Sequence, residues 1–175
     1  DDINIKDYNL YELRKKIGFM SQESVLFKKG LYENILYGKL DATKEEAFTA
    51  ATKASIHNFI NYKIDYKNNL VSEGQKQRIN LARIFLKNPD ILLLENITSL
   101  LDRENSNEIL KNISEYYKEK TLINITHDLT LTTKYDTILF MDKGNLIEQG
   151  THEELLAKNG KYYKLYLKFV EKWII

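Results

Sequence analysis

The 175-residue chain contains no cysteine, which excludes disulfides and cysteine-ligated zinc and fits a cytosolic location. An excess of charge of either sign is also missing. With 26 Lys and Arg against 25 Asp and Glu, the net charge is +1, and nothing in that balance steers the chain toward nucleic acid. No apolar run approaches the roughly 20 residues that span a bilayer, and the first residues lack a signal-peptide pattern. A membrane role would therefore come through a partner. Repeats and low-complexity linkers are missing too, so one domain is the natural reading of this length. The last absence is a phosphate-cradling glycine loop. The two Gly-Lys pairs, Gly38-Lys39-Leu40 and Gly160-Lys161-Tyr162, have neither the upstream glycine nor the following Ser or Thr that such a loop needs.

What is present is a composition able to form a core, 43% hydrophobic and 29% charged. The chain is organised around one stretch, Val71 to Asp102, VSEGQKQRINLARIFLKNPDILLLENITSLLD. Ser72 and Gln75 stand at capping-box spacing, which predicts a helix start where a hydroxyl and free N–H groups favour an anion such as phosphate. Ile79, Ala82 and Leu86, with Leu81 and Phe85 beside them, give that helix a buried face, and Asn88-Pro89-Asp90 ends it. Ile91 to Leu94 are apolar without interruption, which predicts a strand buried on both faces, as in a parallel sheet. Glu95 ends the strand. Open α/β sheets bind ligands beyond the carboxyl ends of their strands, so an acid there is placed to reach a bound Mg²⁺.

VSEGQ resembles the LSGGQ signature of ABC transporter nucleotide-binding domains, and ENITSLLD resembles that family's Walker B and D-loop, with spacing from Gln75 to Asp102 that fits without a gap. Upstream, MSQESVLFKKGLYENILYG resembles the exporter-type Q-loop segment, and downstream TLINITHDLT resembles the H-loop. The resemblance covers nearly the whole chain. It implies an α/β fold, a P-loop NTPase-like and mainly parallel sheet flanked by helices, with a RecA-like core and an inserted helical subdomain over about 41–88. It implies ATP and Mg²⁺ as ligands. Gln22 and Glu95 would attend the metal, Gln22 the attacking water and His127 the γ-phosphate. Ser72, Gly74 and Gln75 would serve nucleotide held by the opposite subunit, and Asp102 would communicate across the interface. The implied partners are a second nucleotide-binding domain, identical or not, and a transmembrane domain, which sets the chain at the cytoplasmic face of a membrane. The opening DDINIKD resembles a strand downstream of the family's Walker A loop, so the chain is expected to be a fragment without its N-terminal portion.

Elsewhere, Asn9 with Glu12 predicts a capped helix through Lys16, and Ile17 to Met20 a brief strand that delivers Gln22 to its end. A glutamine after a strand is by itself an ordinary loop residue, and a lone histidine beside a strand is more often a hydrogen-bonding residue than a catalyst. It is the resemblance that singles out Gln22 and His127. Thr43 with Glu46 predicts a helix packed through Ala47, Ala50, Ala51 and Ala54 and extended by Ser55 to Ile60. Between Ile60 and Val71 stand only ten residues, fewer than the resembling exporters carry there. Arg103 to Lys118 predicts a helix with Ile109, Ile113 and Tyr116 or Tyr117 inward, and Thr121 to Thr126 a further buried strand that His127 ends. DTILFMDKGNLIEQG reads as two strands joined at Lys143-Gly144, and Thr151 with Glu154 caps a helix that Asn159-Gly160 closes. Tyr162, Leu165, Tyr166, Phe169 and Val170 form a helical stripe expected to pack on the sheet.

Three positions depart from the family pattern. Glu95 stands where the family has the Walker B aspartate, keeping the charge on a side chain one methylene longer. Asn96 stands at the general-base glutamate. An amide cannot take the proton of an attacking water, and a positioned base contributes roughly 10² to 10⁴ in rate, so slow hydrolysis is expected. Glu73 stands where the family usually has glycine. The expected function is the ATP-binding component of an ABC exporter with a degenerate Walker B. The competing reading is a catalytically silent ABC-like partner or remnant that at most lends its signature to another subunit's site. A soluble ABC ATPase of translation or DNA repair fits the signature but not the exporter-like SQESVLFKKGLYENILYG.

Overall fold

The computed structural model describes residues 3–56, 71–97 and 103–171. The chain divides into two compact units, Asp1–Ile125 and Thr126–Ile175.

In the first unit, α1 (Leu10–Lys16) starts where Asn9 Oδ1 accepts the N–H groups of Tyr11 and Glu12 at 3.0 and 3.2 Å. Its carboxyl end is held by Lys87, whose Nζ donates to the carbonyls of Arg14 and Ile17 at 2.8 and 2.7 Å. Then come β1 (Ile17–Met20), α2 (Leu31–Leu36), α3 (Lys44–Lys53), α4 (Glu73–Lys87), β2 (Ile91–Glu95), α5 (Arg103–Tyr116) and β3 (Thr121–Ile125). The strands form a parallel sheet in the order β1-β2-β3, with Met20 opposite Leu94 and Glu95 opposite Ile125. Asn88 caps α4 in the left-handed conformation (φ 52°), which asparagine tolerates, and Pro89 prevents the helix from continuing.

Strand alternation decides the core. Met20, Leu92 and Leu94 are fully buried on one face of the sheet and share a cluster with Leu81, Ala82 and Phe85 of α4 and Ile109 and Ile113 of α5. Burial of each large aliphatic side chain there contributes roughly 1.5–3 kcal/mol. The expectation of strands buried on both faces is corrected here. In β2 only Leu92 and Leu94 are buried, while Ile91 and Leu93 are half-buried. In β3 no residue is buried, and Ile123 and Ile125 are 48% and 58% exposed, as is Phe19 at 57% in β1. An uninterrupted apolar run thus supplies both faces, but in the described residues only one of them is closed.

Thr43 and Glu46 form the expected capping box, and Lys39 donates to the Glu46 carboxyl, holding it below its ordinary range. Ala47, Ala50, Ala51 and Ala54 are all buried. Helix α3 does not continue into Ser55 as expected. Ser55 takes φ 56° and turns the chain, and its hydroxyl donates to Glu108 Oε1 at 2.5 Å while its carbonyl accepts from Arg78 at 3.0 Å. Residues 57–60, the rest of that expected extension, lie outside the described residues.

The second unit holds a short 3-10 turn (Leu129–Lys134), the antiparallel hairpin β4 (Ile138–Asp142) and β5 (Asn145–Gly150), α6 (His152–Ala157) and α7 (Lys161–Glu171). The hairpin turns at Lys143 and Gly144, both at positive φ, and Gly144 meets that need without strain. Thr151 and Glu154 close a capping box. On α7, Tyr162 is buried with its ring edge toward Phe140 of β4, but Leu165 of the expected stripe is exposed.

Candidate functional site

Because β1 and β2 are parallel and in register, their carboxyl ends lie at one edge of the sheet. Ser21 and Gln22 follow β1 there, and Glu95 is the last residue of β2. Gln22 is exposed, and Glu95 and Asn96 are half-buried. Asn96 adopts φ 47°, and its N–H donates to the Ile125 carbonyl at 2.9 Å, so the turn after Glu95 is tied to the end of the neighbouring strand β3. Asparagine is among the few side chains that take this left-handed geometry readily.

The start of α4 is built as the sequence predicts. Ser72 Oγ accepts the Gln75 N–H at 3.2 Å, and Gln75 Oε1 accepts the Ser72 N–H at 2.9 Å. The first carbonyl-to-amide bond of the helix goes to Lys76, from Ser72, so the N–H groups of Glu73 and Gly74 have no partner within the helix. Ser72 is exposed and Gly74 half-buried. Glu73 is turned along its own helix, where Lys76 Nζ lies 2.5 Å from its Oε1. Glu73 therefore carries its own counter-ion.

Residues that sequence reasoning missed hold the later turns of α4 to the loop after Gln22. Arg83, on α4, donates from Nη1 to the Val25 carbonyl at 2.7 Å, from Nε to the Asn34 carbonyl at 2.8 Å and from Nη2 to Asn34 Oδ1 at 2.7 Å. Asn34 is fully buried, and its Nδ2 donates to the carbonyls of Phe27, Lys29 and Gly30. The available signal was an asparagine on the Leu31 and Ile35 face of α2, and an arginine between the buried Ala82 and Ile84. Gln77 is likewise fully buried, two residues after Gln75.

His127 lies in the second unit, exposed, directly before Asp128, whose N–H donates to Thr126 Oγ1 at 3.0 Å. Asp102 lies outside the described residues. The structure thus brings Gln22, Glu95 and Asn96 to one sheet edge and gives Ser72, Gly74 and Gln75 a shared helix start.

Mg²⁺ is ordinarily held by one or two carboxylates together with substrate phosphates, at near-octahedral geometry. Among the described residues no group of three or more His, Asp or Glu could hold a metal alone. A single acid at a strand end, with a polar amide beside it, fits a metal that arrives with its nucleotide.

A parallel sheet flanked by helices, with an acid at the carboxyl end of its central strand, is the P-loop NTPase fold in the form found in ABC exporters. The ABC transporter family model matches residues 1–99, and the chain belongs to that family. ABC transporter B family member 24, mitochondrial, of Arabidopsis thaliana is 42% identical over 173 residues, covering 95% of this chain and 25% of the relative. A putative multidrug export ATP-binding/permease protein of Staphylococcus aureus is 40% identical over 173 residues, covering 95% and 30%. A solved structure of a bacterial Atm1-family ABC exporter with ATP bound superposes with a TM-score of 0.87 at 34% identity, covering 95% of this chain and 30% of that one. The chain therefore spans between a quarter and a third of the length of these relatives. No described helix is long and apolar enough to cross a membrane.

Proposed function

We propose that this chain is the ATP-binding component of an ABC exporter, working at the cytoplasmic face of a membrane. It couples ATP binding and hydrolysis to movement of a transmembrane partner, and it pairs with a second nucleotide-binding domain. Residues 41–88 form the helical subdomain of this reading and the remainder the RecA-like core. The observation that carries it is the convergence of Gln22 and Glu95 on one sheet edge, together with an exposed, capped helix start at Ser72.

Bound Mg²⁺ would neutralise phosphate charge at the strand ends. Glu95 is the residue to hold it, and Gln22 the residue to orient water beside it. Asn96 can hydrogen-bond a water but cannot take its proton, so hydrolysis at this chain's own site is slow. To phosphate bound by the opposite subunit Gly74 offers a free N–H, Ser72 its hydroxyl and Gln75 its side-chain amide; by family resemblance His127 would contact the γ-phosphate and Asp102 would communicate across the interface.

Titration with ATP and Mg²⁺, followed by thermal stability and association state, tests this. A ligand at a hundred times its Kd stabilises by about 2.7 kcal/mol, and Glu95→Gln is expected to remove most of the Mg²⁺-dependent part. No stabilisation of this chain, nor of any longer polypeptide that contains it, contradicts the proposal. Asn96 also favours a second reading, a silent partner that lends its signature. Raised ATPase of an intact homologue on mixing, with none from this chain, selects it.

A further inference from the structure

The second unit contains a chain of side-chain hydrogen bonds whose direction can be deduced. Thr132 Oγ1 lies 2.7 Å from the Leu129 carbonyl, which can only accept, so the threonine hydrogen points there. The Thr132 oxygen also lies 2.9 Å from Tyr162 Oη, and with its own hydrogen committed it accepts the phenolic one. Tyr162 Oη is then the acceptor in its 2.7 Å contact with His152 Nδ1, which must carry a proton. Burial pushes the Tyr162 phenol up from its ordinary range, so it remains an O–H donor at working pH. Thr132 and Tyr162 are buried, and the His152 ring stands edge-on to those of Tyr162 and Tyr166.

The three residues come from three elements: the 3-10 turn, α6 and α7. The turn they clamp begins next to Asp128, which accepts the N–H and the hydroxyl of Thr130 at 3.0 and 2.6 Å and so leaves little freedom between His127 and Thr132. We propose that His152 is held in its Nδ1–H form by Tyr162 and Thr132, and that this relay makes Tyr162 and His152 positioning residues for His127. The positioning role rests on the reading above that His127 serves nucleotide, but the relay itself does not.

The test uses the full chain and no nucleotide, so failure of the ATP reading leaves it intact. Nitrogen-15 spectra of the imidazoles are recorded near pH 8.5, where an ordinary histidine is neutral. With only three histidines in the chain, His57→Ala and His127→Ala variants assign the signals. The expected result is a protonated Nδ1 and an unprotonated Nε2 at His152. Thr132→Val removes the acceptor of the tyrosine hydrogen, so Tyr162 turns to donate to His152 and the tautomer switches to Nε2–H. The backbone amide signals of His127 and Asp128 shift with it. Tyr162→Phe removes the acceptor of the Nδ1 hydrogen and leaves Nδ1 only the Thr132 oxygen at 3.5 Å, so it weakens the Nδ1–H preference and moves the same two amides. General loosening also lets His152 relax toward Nε2–H, but it shifts amides throughout the unit, whereas the relay predicts shifts confined to the turn and the residues around the three clamped side chains. An Nε2–H His152 in the unmodified chain overturns the proposal, and so does a switch in Thr132→Val that leaves the His127 and Asp128 amides unmoved.

Discussion

Arg83 grips Asn34 twice, through Nη2 to the side-chain oxygen at 2.7 Å and through Nε to the main-chain carbonyl at 2.8 Å. The first contact fixes the asparagine amide so that its nitrogen faces the carbonyls of Phe27, Lys29 and Gly30. Asn34→Ala strands those groups and the guanidinium, and is expected to cost about 3 kcal/mol, or roughly 6–12 °C in Tm for a chain of this size. Asn34→Asp keeps an acceptor for Arg83 but turns a second oxygen toward three carbonyls. It should destabilise at least as much at neutral pH, and an unchanged Tm for Asn34→Asp contradicts the network.

Gly38 lies against the same arginine. A Cβ built there falls 2.2 Å from the Arg83 carbonyl oxygen, a backbone atom in mid-helix that cannot swing aside. Gly38→Ala is expected to lower stability by about 1–3 kcal/mol through forced displacement of α4, read as a drop in denaturation midpoint at unchanged m-value. A Tm within a degree of the parent shows that the two segments are not packed this closely.

Tyr117 is buried with a hydroxyl that has no hydrogen-bond partner among the described residues. Tyr117→Phe removes that unpaired group and should stabilise the fold by about 1 kcal/mol. Desolvation by burial also raises the Tyr117 pKa above its ordinary value of 10.0. Above pH 10 the unfolded chain therefore loses this proton while the folded chain keeps it, and stability falls by up to about 1.4 kcal/mol per pH unit on this account. Urea titrations between pH 9 and 11 should show a shallower decline in Tyr117→Phe. A lower Tm in the variant contradicts the unpaired hydroxyl.

Asn96→Glu tests the proposed base position. In an assembly that binds ATP, the variant should hydrolyse it roughly 10² to 10⁴ times faster, with KM little changed because the base acts in the chemical step. Position 96 has φ 47°, so glutamate there costs on the order of 1 kcal/mol of stability. Unchanged turnover with nucleotide bound means that Asn96 does not stand at the base position.

Much of this architecture was legible because its signals are local. Capping pairs at Asn9, Thr43, Ser72 and Thr151 all form, since a hydroxyl or amide oxygen two or three residues from an orphan N–H needs no tertiary help. The apolar period of α4 and the Lys143-Gly144 turn are local in the same sense. Burial of the strands was misjudged because an apolar run shows that a residue can be covered, not that it is. Ile123 and Ile125 have the sequence of core residues and lie exposed. The Arg83–Asn34 and Thr132–Tyr162–His152 networks were invisible for the opposite reason, since each joins residues 20 or more positions apart. Gln22 and His127 were singled out by resemblance, as nothing local distinguishes either.

The most direct test mixes this chain with an intact ABC exporter nucleotide-binding domain and measures association by sedimentation with and without Mg·ATP. Ser72→Ala and Glu95→Gln variants run alongside. The account predicts association that requires Mg·ATP and weakens at least about tenfold, or 1.4 kcal/mol, in Ser72→Ala. No Mg·ATP-dependent association, or association indifferent to Ser72→Ala, contradicts it.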